Sequence, residues 1–140
     1  MAVPEIIFYF ESASSYSYIG FEFMERYKKL WDVKVDYRPF NLMQVMANAK
    51  NKFSPYKLPF LFTDLKRTSA ITKIPFRGTP KQYPYDPTTA LRTLQFIKTQ
   101  QPEKMPEAMR RLWNMEYVQL VAPATPELVK QALEGVVDPS

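Results

Sequence analysis

The first forty residues change their hydrophobic period twice, and few folds accommodate that order of changes. Ile6-Ile7-Phe8-Tyr9-Phe10 is an unbroken apolar run of β-branched and aromatic residues, the pattern of a strand covered on both faces at the centre of a parallel sheet. The spacing then turns helical. Ile19, Phe23, Tyr27, Leu30 and Trp31 fall on one stripe, while Glu22, Glu25, Arg26, Lys28 and Lys29 occupy the other. Glu22/Arg26 and Glu25/Lys29 are four apart with the acid first, the favourable orientation. These residues predict an amphipathic helix of about four turns. Val33-Lys34-Val35-Asp36-Tyr37 alternates apolar with polar and stops at Arg38-Pro39, which predicts a second strand. The whole unit, roughly 35 residues, has the length of a right-handed βαβ crossover.

Ser12, Ser14, Ser15 and Ser17 cluster at the turn between the first strand and the helix. In open α/β sheets that turn lies at the carboxyl end of a strand and at a helix N-terminus. Free backbone N–H groups and the positive end of the helix dipole favour an anion there. A lone serine in such a place is more often a helix cap than a catalytic group. After Pro39 the pattern becomes helices punctuated by prolines: Leu42 to Ala49, Phe60 to Thr72, a helix opened by Asp86-Pro87 and running to about Gln100, Glu107 to Val121, and Thr125-Pro126 to Gly135. Asn51 to Pro59 and Ile74 to Pro84 are expected to be irregular. The chain therefore divides into a βαβ unit over residues 1–40 and a helical part over residues 41–140.

The chain has 140 residues, 46% hydrophobic and 24% charged, enough for one ordinary domain with its own core. It has no cysteine and no histidine, which removes a protein thiolate nucleophile, a disulfide, a Cys/His zinc site and a Ser-His-Asp triad. Covalent or redox chemistry must then use a thiol or cofactor brought from outside, and no metal is expected. A net charge of +5 adds a mild preference for anionic partners. Basic residues near aromatics, such as Lys50-Asn51-Lys52-Phe53 and Lys66-Arg67, raise nucleic-acid binding as an alternative. They are dispersed among acids and match no RNA- or DNA-binding pattern, so solvated helix faces explain them better. No apolar stretch reaches membrane-spanning length and no signal peptide is visible, so the expectation is an intracellular protein with no membrane partner.

"FYFESASSYSYIGFEF" followed by "RYKKLWDVKVDYRPFNLMQVM" resembles the N-terminal part of kappa-class glutathione transferases, which have a DsbA-like thioredoxin fold with a helical insertion and are related to 2-hydroxychromene-2-carboxylate isomerases. Glu11 stands where that family has an aspartate, and Ser14-Ser15-Tyr16-Ser17 matches its Ser-Pro-Tyr-Ser turn with the proline replaced by Ser15. The likeness continues at Arg38-Pro39, at Asn51-Lys52 and in "KLPFLFTDLKR", then more weakly through Ile74-Pro75 and "ALRTLQFIKTQQPEKMPEAMRRLW". It covers about the first 115 residues. The resemblance implies that Ser14 and Ser17 occupy the positions of Cys-x-x-Cys in redox-active thioredoxin relatives. It further implies that Ser14 is catalytic, donating its O–H to the sulfur of bound glutathione, and that Ser17, Asn51 and Lys57 contact glutathione, with Lys57 facing its glycyl carboxylate.

The resemblance thus implies an α/β, DsbA-like thioredoxin fold whose chemistry is activation of glutathione for conjugation to an electrophile or for peroxide reduction. A homodimer and a mitochondrial or peroxisomal location also follow from it alone, since residues 1–5 and the tail Asp138-Pro139-Ser140 carry no such address. Nothing after Trp113 reads as the cis-proline strand pair that completes the family's sheet, so the second thioredoxin half is expected to be missing. The strand Ile6 to Phe10 is then expected to have an open edge, which a partner subunit would cover. Two further readings stand beside the transferase. One is a non-catalytic remnant that only binds glutathione or dimerises, and the other is a glutathione-dependent isomerase.

Overall fold

The computed structural model describes residues 2–52 and 54–137, so Phe53 and the tail 138–140 named above lie outside it. Strand β1 (Glu5–Phe10) and strand β2 (Lys34–Pro39) pair in parallel, from Glu5 opposite Lys34 to Phe10 opposite Pro39. Helix α1 (Ser15–Tyr27) makes the crossover between them. Then follow α2 (Leu42–Asn48), a 3-10 turn at Pro55–Lys57, α3 (Leu58–Thr72), an irregular stretch to Pro87, α4 (Thr88–Gln100), a second 3-10 turn at Pro102–Lys104, α5 (Met105–Tyr117) and α6 (Pro126–Ala132). Among the described residues the sheet holds these two strands, and β1 pairs along one edge. No helix among them is long and apolar enough to cross a membrane.

The core is aromatic and centred on Trp113 of α5. Its ring lies 5.7 Å from Phe10 at the end of β1 and 5.6 and 5.2 Å from Tyr18 and Phe21 of α1. Phe21 also meets Tyr37 of β2 at 5.4 Å. Helix α1 is therefore held between the sheet and α5. Gly20 permits the approach to the sheet, because a Cβ there would meet the Phe8 ring at 3.0 Å. Ala90, Leu94 and Ile97 of α4 and Val129 and Ala132 of α6 extend the same core.

The structure corrects several expectations. Strand β1 is not covered on both faces: Phe8 and Phe10 turn toward the helices, but Ile7 and Tyr9 are 45% and 59% exposed, since the helices that pack here lie on one side. Helix α1 stops at Tyr27, a turn earlier than its stripe suggests, where the chain closes a turn by Val33 N donating to Lys28 O and Asp32 takes a left-handed φ of 50°. Leu30 and Trp31 are consequently exposed. Its buried residues are Tyr18, Ile19 and Phe21, while Phe23, Tyr27 and Trp31 stack on one another at the periphery, 6.2 and 5.2 Å apart.

The two anticipated ion pairs along α1 do not form, because both acids find partners elsewhere. Glu22 receives two hydrogen bonds from Arg110 of α5, at 2.8 and 3.2 Å, and Glu25 takes Lys28 at 2.6 Å and the Tyr37 hydroxyl at 2.5 Å. Arg26 instead donates to the Thr72 carbonyl at 2.7 Å. Helix α4 begins one residue late: Pro87 is the cap residue, and Asp86 accepts from Thr88 N at 3.0 Å. Helix α5 starts at Met105 and ends at Tyr117 rather than Val121, and Leu120 beyond it has a left-handed φ of 62°.

Candidate functional site

The turn from Glu11 to Ser17 joins the carboxyl end of β1 to the first turn of α1. Ser14 is the N-cap of α1: its backbone is extended, and its Oγ accepts from Ser17 N at 3.2 Å. Ser17 Oγ in turn accepts from Glu11 N at 3.3 Å, and Ser14 N donates to Glu11 O at 3.1 Å. The two serines thus bind each other's side of the turn through backbone groups. The amides of Ser15 and Tyr16, at the first two helical positions, have no acceptor within the helix. Ser14 is half-buried, and capping uses a lone pair of its hydroxyl while leaving its proton to donate.

Capping and ligand contact are therefore compatible roles for Ser14. A hydroxyl proton, two free amides and the positive end of a 13-residue helix converge on one place, where a negative charge such as a thiolate gains from each of them. Tyr16, in the first turn, is partly exposed and donates to Asp64 Oδ2 of α3 at 2.5 Å. Partial burial, with the Asp64 carboxylate adding to it, pushes the Tyr16 phenol up to about 12, so it stays a donor. Tyr18 points the other way, stacking on Tyr117 at 5.8 Å and donating to Pro75 O at 3.1 Å.

Of the residues singled out from the sequence, Ser14 and Ser17 are brought together; Asn51 and Lys57 are not joined to them by any hydrogen bond or ion pair among the described residues. Asn51 follows α2, its N–H donating to Met46 O at 2.9 Å, and Lys57 is the residue before α3; both side chains are exposed. The Tyr16–Asp64 bond ties the serine turn to the middle of the helix that Lys57 precedes. No group of three or more metal-ligating side chains occurs among the described residues.

The burial of two acidic groups near the turn escaped the sequence reading. Glu11 is buried, its Oε1 accepting from Ala13 N at 2.8 Å, and Glu116 of α5 is fully buried, its Oε2 accepting from the Tyr85 hydroxyl at 2.7 Å. Burial pushes both carboxyls up, Glu116 to about 8. A signal for Glu116 was present: it continues the apolar stripe Met105, Ala108, Met109, Leu112, Trp113 at helical spacing.

Comparison with known proteins gives a consistent picture. The model of the DSBA-like thioredoxin domain matches residues 5–136. Glutathione S-transferase kappa 1 of Caenorhabditis elegans is 36% identical over 120 residues, covering 79% of this chain and 53% of that protein. Glutathione S-transferase kappa 1 of Homo sapiens is 28% identical over 113 residues, covering 75% and 50%. The chain spans about half the length of the curated relatives it matches. A solved structure of 2-hydroxychromene-2-carboxylate isomerase superposes with a TM-score of 0.76 over 94% of this chain and 65% of that one, at 19% identity; the fold is shared.

Proposed function

The chain belongs to the DSBA-like thioredoxin domain family, and from that premise we propose that it binds glutathione at the Ser14 turn and holds its sulfur as a thiolate for attack on an electrophile or reduction of a peroxide. The observation that carries this reading is the Ser14 hydroxyl, anchored as the cap of α1 with its proton uncommitted at a helix N-terminus. The likeness to relatives named glutathione S-transferase kappa 1 supports glutathione as the thiol.

The physics suits the task. A hydrogen bond to a charged group contributes about 1.5–3 kcal/mol, and one pKa unit corresponds to about 1.4 kcal/mol. One hydroxyl can therefore lower a thiol pKa by roughly one to two units, and the helix N-terminus acts in the same direction. Serine need not be deprotonated, so the chemistry requires no histidine. Asn51 and Lys57 are the polar groups we assign to the peptide part of glutathione, Lys57 to its glycyl carboxylate, and Ser17 keeps the turn in shape through Glu11 N.

The test is a thermal melt of the purified protein with and without millimolar glutathione, followed by ultraviolet thiolate absorbance of the bound peptide at neutral pH. A cooperative transition that moves up with glutathione, together with excess thiolate, supports the reading. A transition indifferent to glutathione refutes it, and binding without excess thiolate leaves only the non-catalytic binder.

A further inference from the structure

The two buried carboxyl groups behind the Ser14 turn have no role in the reading above. Glu11 comes from the turn itself and Glu116 from α5, and the charge of each acts on Tyr83, Tyr85 and Tyr117. No lysine or arginine is among the groups that perturb either one. Glu116 is faced by Tyr85 and Tyr83 from the segment preceding α4, by Glu11 from the turn and by Tyr117 from its own helix. All the other groups in this set are tyrosines. Burial, with the Glu116 charge adding to it, holds the Tyr85 phenol far above its ordinary value, so Tyr85 stays protonated and donates to Glu116.

Two carboxylates buried without a cation cannot both stay ionised at moderate cost, because desolvation and mutual repulsion both favour retaining a proton. The hydrogen bonds indicate which of them holds it. Glu11 Oε1 accepts from Ala13 N, which favours its anion. Glu116 is more deeply buried, has one donor on Oε2, and leaves Oε1 without a hydrogen-bond partner. That oxygen is free to carry the proton, in a region where the Ser12 and Tyr117 hydroxyls also lack partners.

We propose that Glu116 holds a proton behind the Ser14 turn while Glu11 is ionised, and that losing it adds a negative charge which opposes an anionic sulfur at Ser14. Glu116 is thus a positioning residue for charge rather than a catalytic one, and the inference rests on the glutathione reading only for the identity of the sulfur. The link to the turn is direct: Glu11 binds the amide of Ala13, and its backbone carbonyl accepts from Ser14 N. While the pair holds its proton, α1 presents its positive end to the sulfur against a single buried charge. When the proton leaves to solvent, a second charge stands behind the same amides.

Two measurements test this. In the free protein, the infrared carboxylic-acid band is followed against pH; the proposal expects a band at neutral pH that disappears near pH 8 and is missing in Glu116→Gln. In the glutathione complex, thiolate absorbance against pH should broaden around the same inflection in the parent and follow a single simple ionisation in Glu116→Gln, whose side chain cannot acquire charge. Tyr85→Phe removes the donor to Oε2 and should move the band's midpoint upward, which a purely structural role for Glu116 would not do. Absence of the band in the parent at neutral pH, or superimposable thiolate curves for parent and Glu116→Gln, overturns the proposal. If glutathione does not bind, the functional reading falls and the coupling to sulfur with it, while the band alone still decides whether the pair holds a proton.

Discussion

Ser14 caps α1 through a lone pair, and the proposed function adds a second role, donation of its proton to a ligand, that substitution can separate from the first. Ser14→Ala removes both; the lost cap should cost about 1 kcal/mol of stability. Ser14→Gly also removes the hydroxyl, but glycine at an N-cap costs only a few tenths of a kcal/mol. The two variants should therefore differ in melting temperature and agree in their effect on sulfur. A free thiol with a pKa of about 8.5 is about 3% ionised at pH 7, whereas one lowered by one to two units is roughly 25–75% ionised. Both variants should thus lose about tenfold in bound thiolate, read by ultraviolet absorbance at saturating glutathione. Turnover should fall less, by about threefold from ionisation alone, because a thiolate of higher pKa is the better nucleophile. A larger loss would mean that Ser14 also positions the sulfur. If either variant keeps the parental thiolate fraction, the hydroxyl is a cap and nothing more.

Trp113 is buried at the centre of the aromatic cluster with its indole N–H unpartnered. Trp113→Ala should cost about 3–5 kcal/mol, a large share of a small domain's stability; Trp113→Phe, losing no hydrogen bond, should cost much less, and equal costs in denaturant unfolding would contradict this packing account. Asp36 of β2 accepts from Lys98 of α4 and from Arg38, and these hydrogen bonds, Lys98's first, hold its carboxyl below its ordinary value. A depressed folded pKa stabilises above the unfolded carboxylate range, near 3.9, and that contribution is lost as pH falls through the folded value. Asp36→Asn should accordingly flatten the acid limb of melting temperature against pH below about 4, leaving its shape at neutral pH unchanged; a parallel downward shift at every pH would refute the linkage.

The βαβ unit was legible because it depends on local period. An apolar run, a helical stripe and an alternating strand leave one economical arrangement, a parallel pair joined by a helical crossover, and the structure has it. The face that α1 buries was not legible. Its stripe points through Phe23 and Tyr27, yet Arg110 and Tyr37 draw Glu22 and Glu25 toward α5 and β2, and the helix rotates its acids inward with Tyr18 and Phe21. Arg110 also lies over the Phe21 ring at 5.2 Å, so one guanidinium satisfies an acid and covers an aromatic. A partner that lies 88 residues away in the chain cannot be inferred from spacing within one helix.

The same division runs through the candidate site. The cap at Ser14 could be read because capping depends on the first residues of a helix and selects a hydroxyl there. What lies behind the turn depends on long-range packing, and the one visible sign was an acid in the apolar stripe of α5. A charge in a stripe that otherwise carries Met109, Leu112 and Trp113 must be neutral, paired or functional. The structure gives Glu116 a tyrosine and a second acid rather than a base, which leaves neutrality as the physical solution at moderate pH. The residues that make the turn attractive to an anion and the residues that limit how much negative charge collects there thus come from opposite ends of the chain. They meet because Trp113 packs α5 against the end of β1.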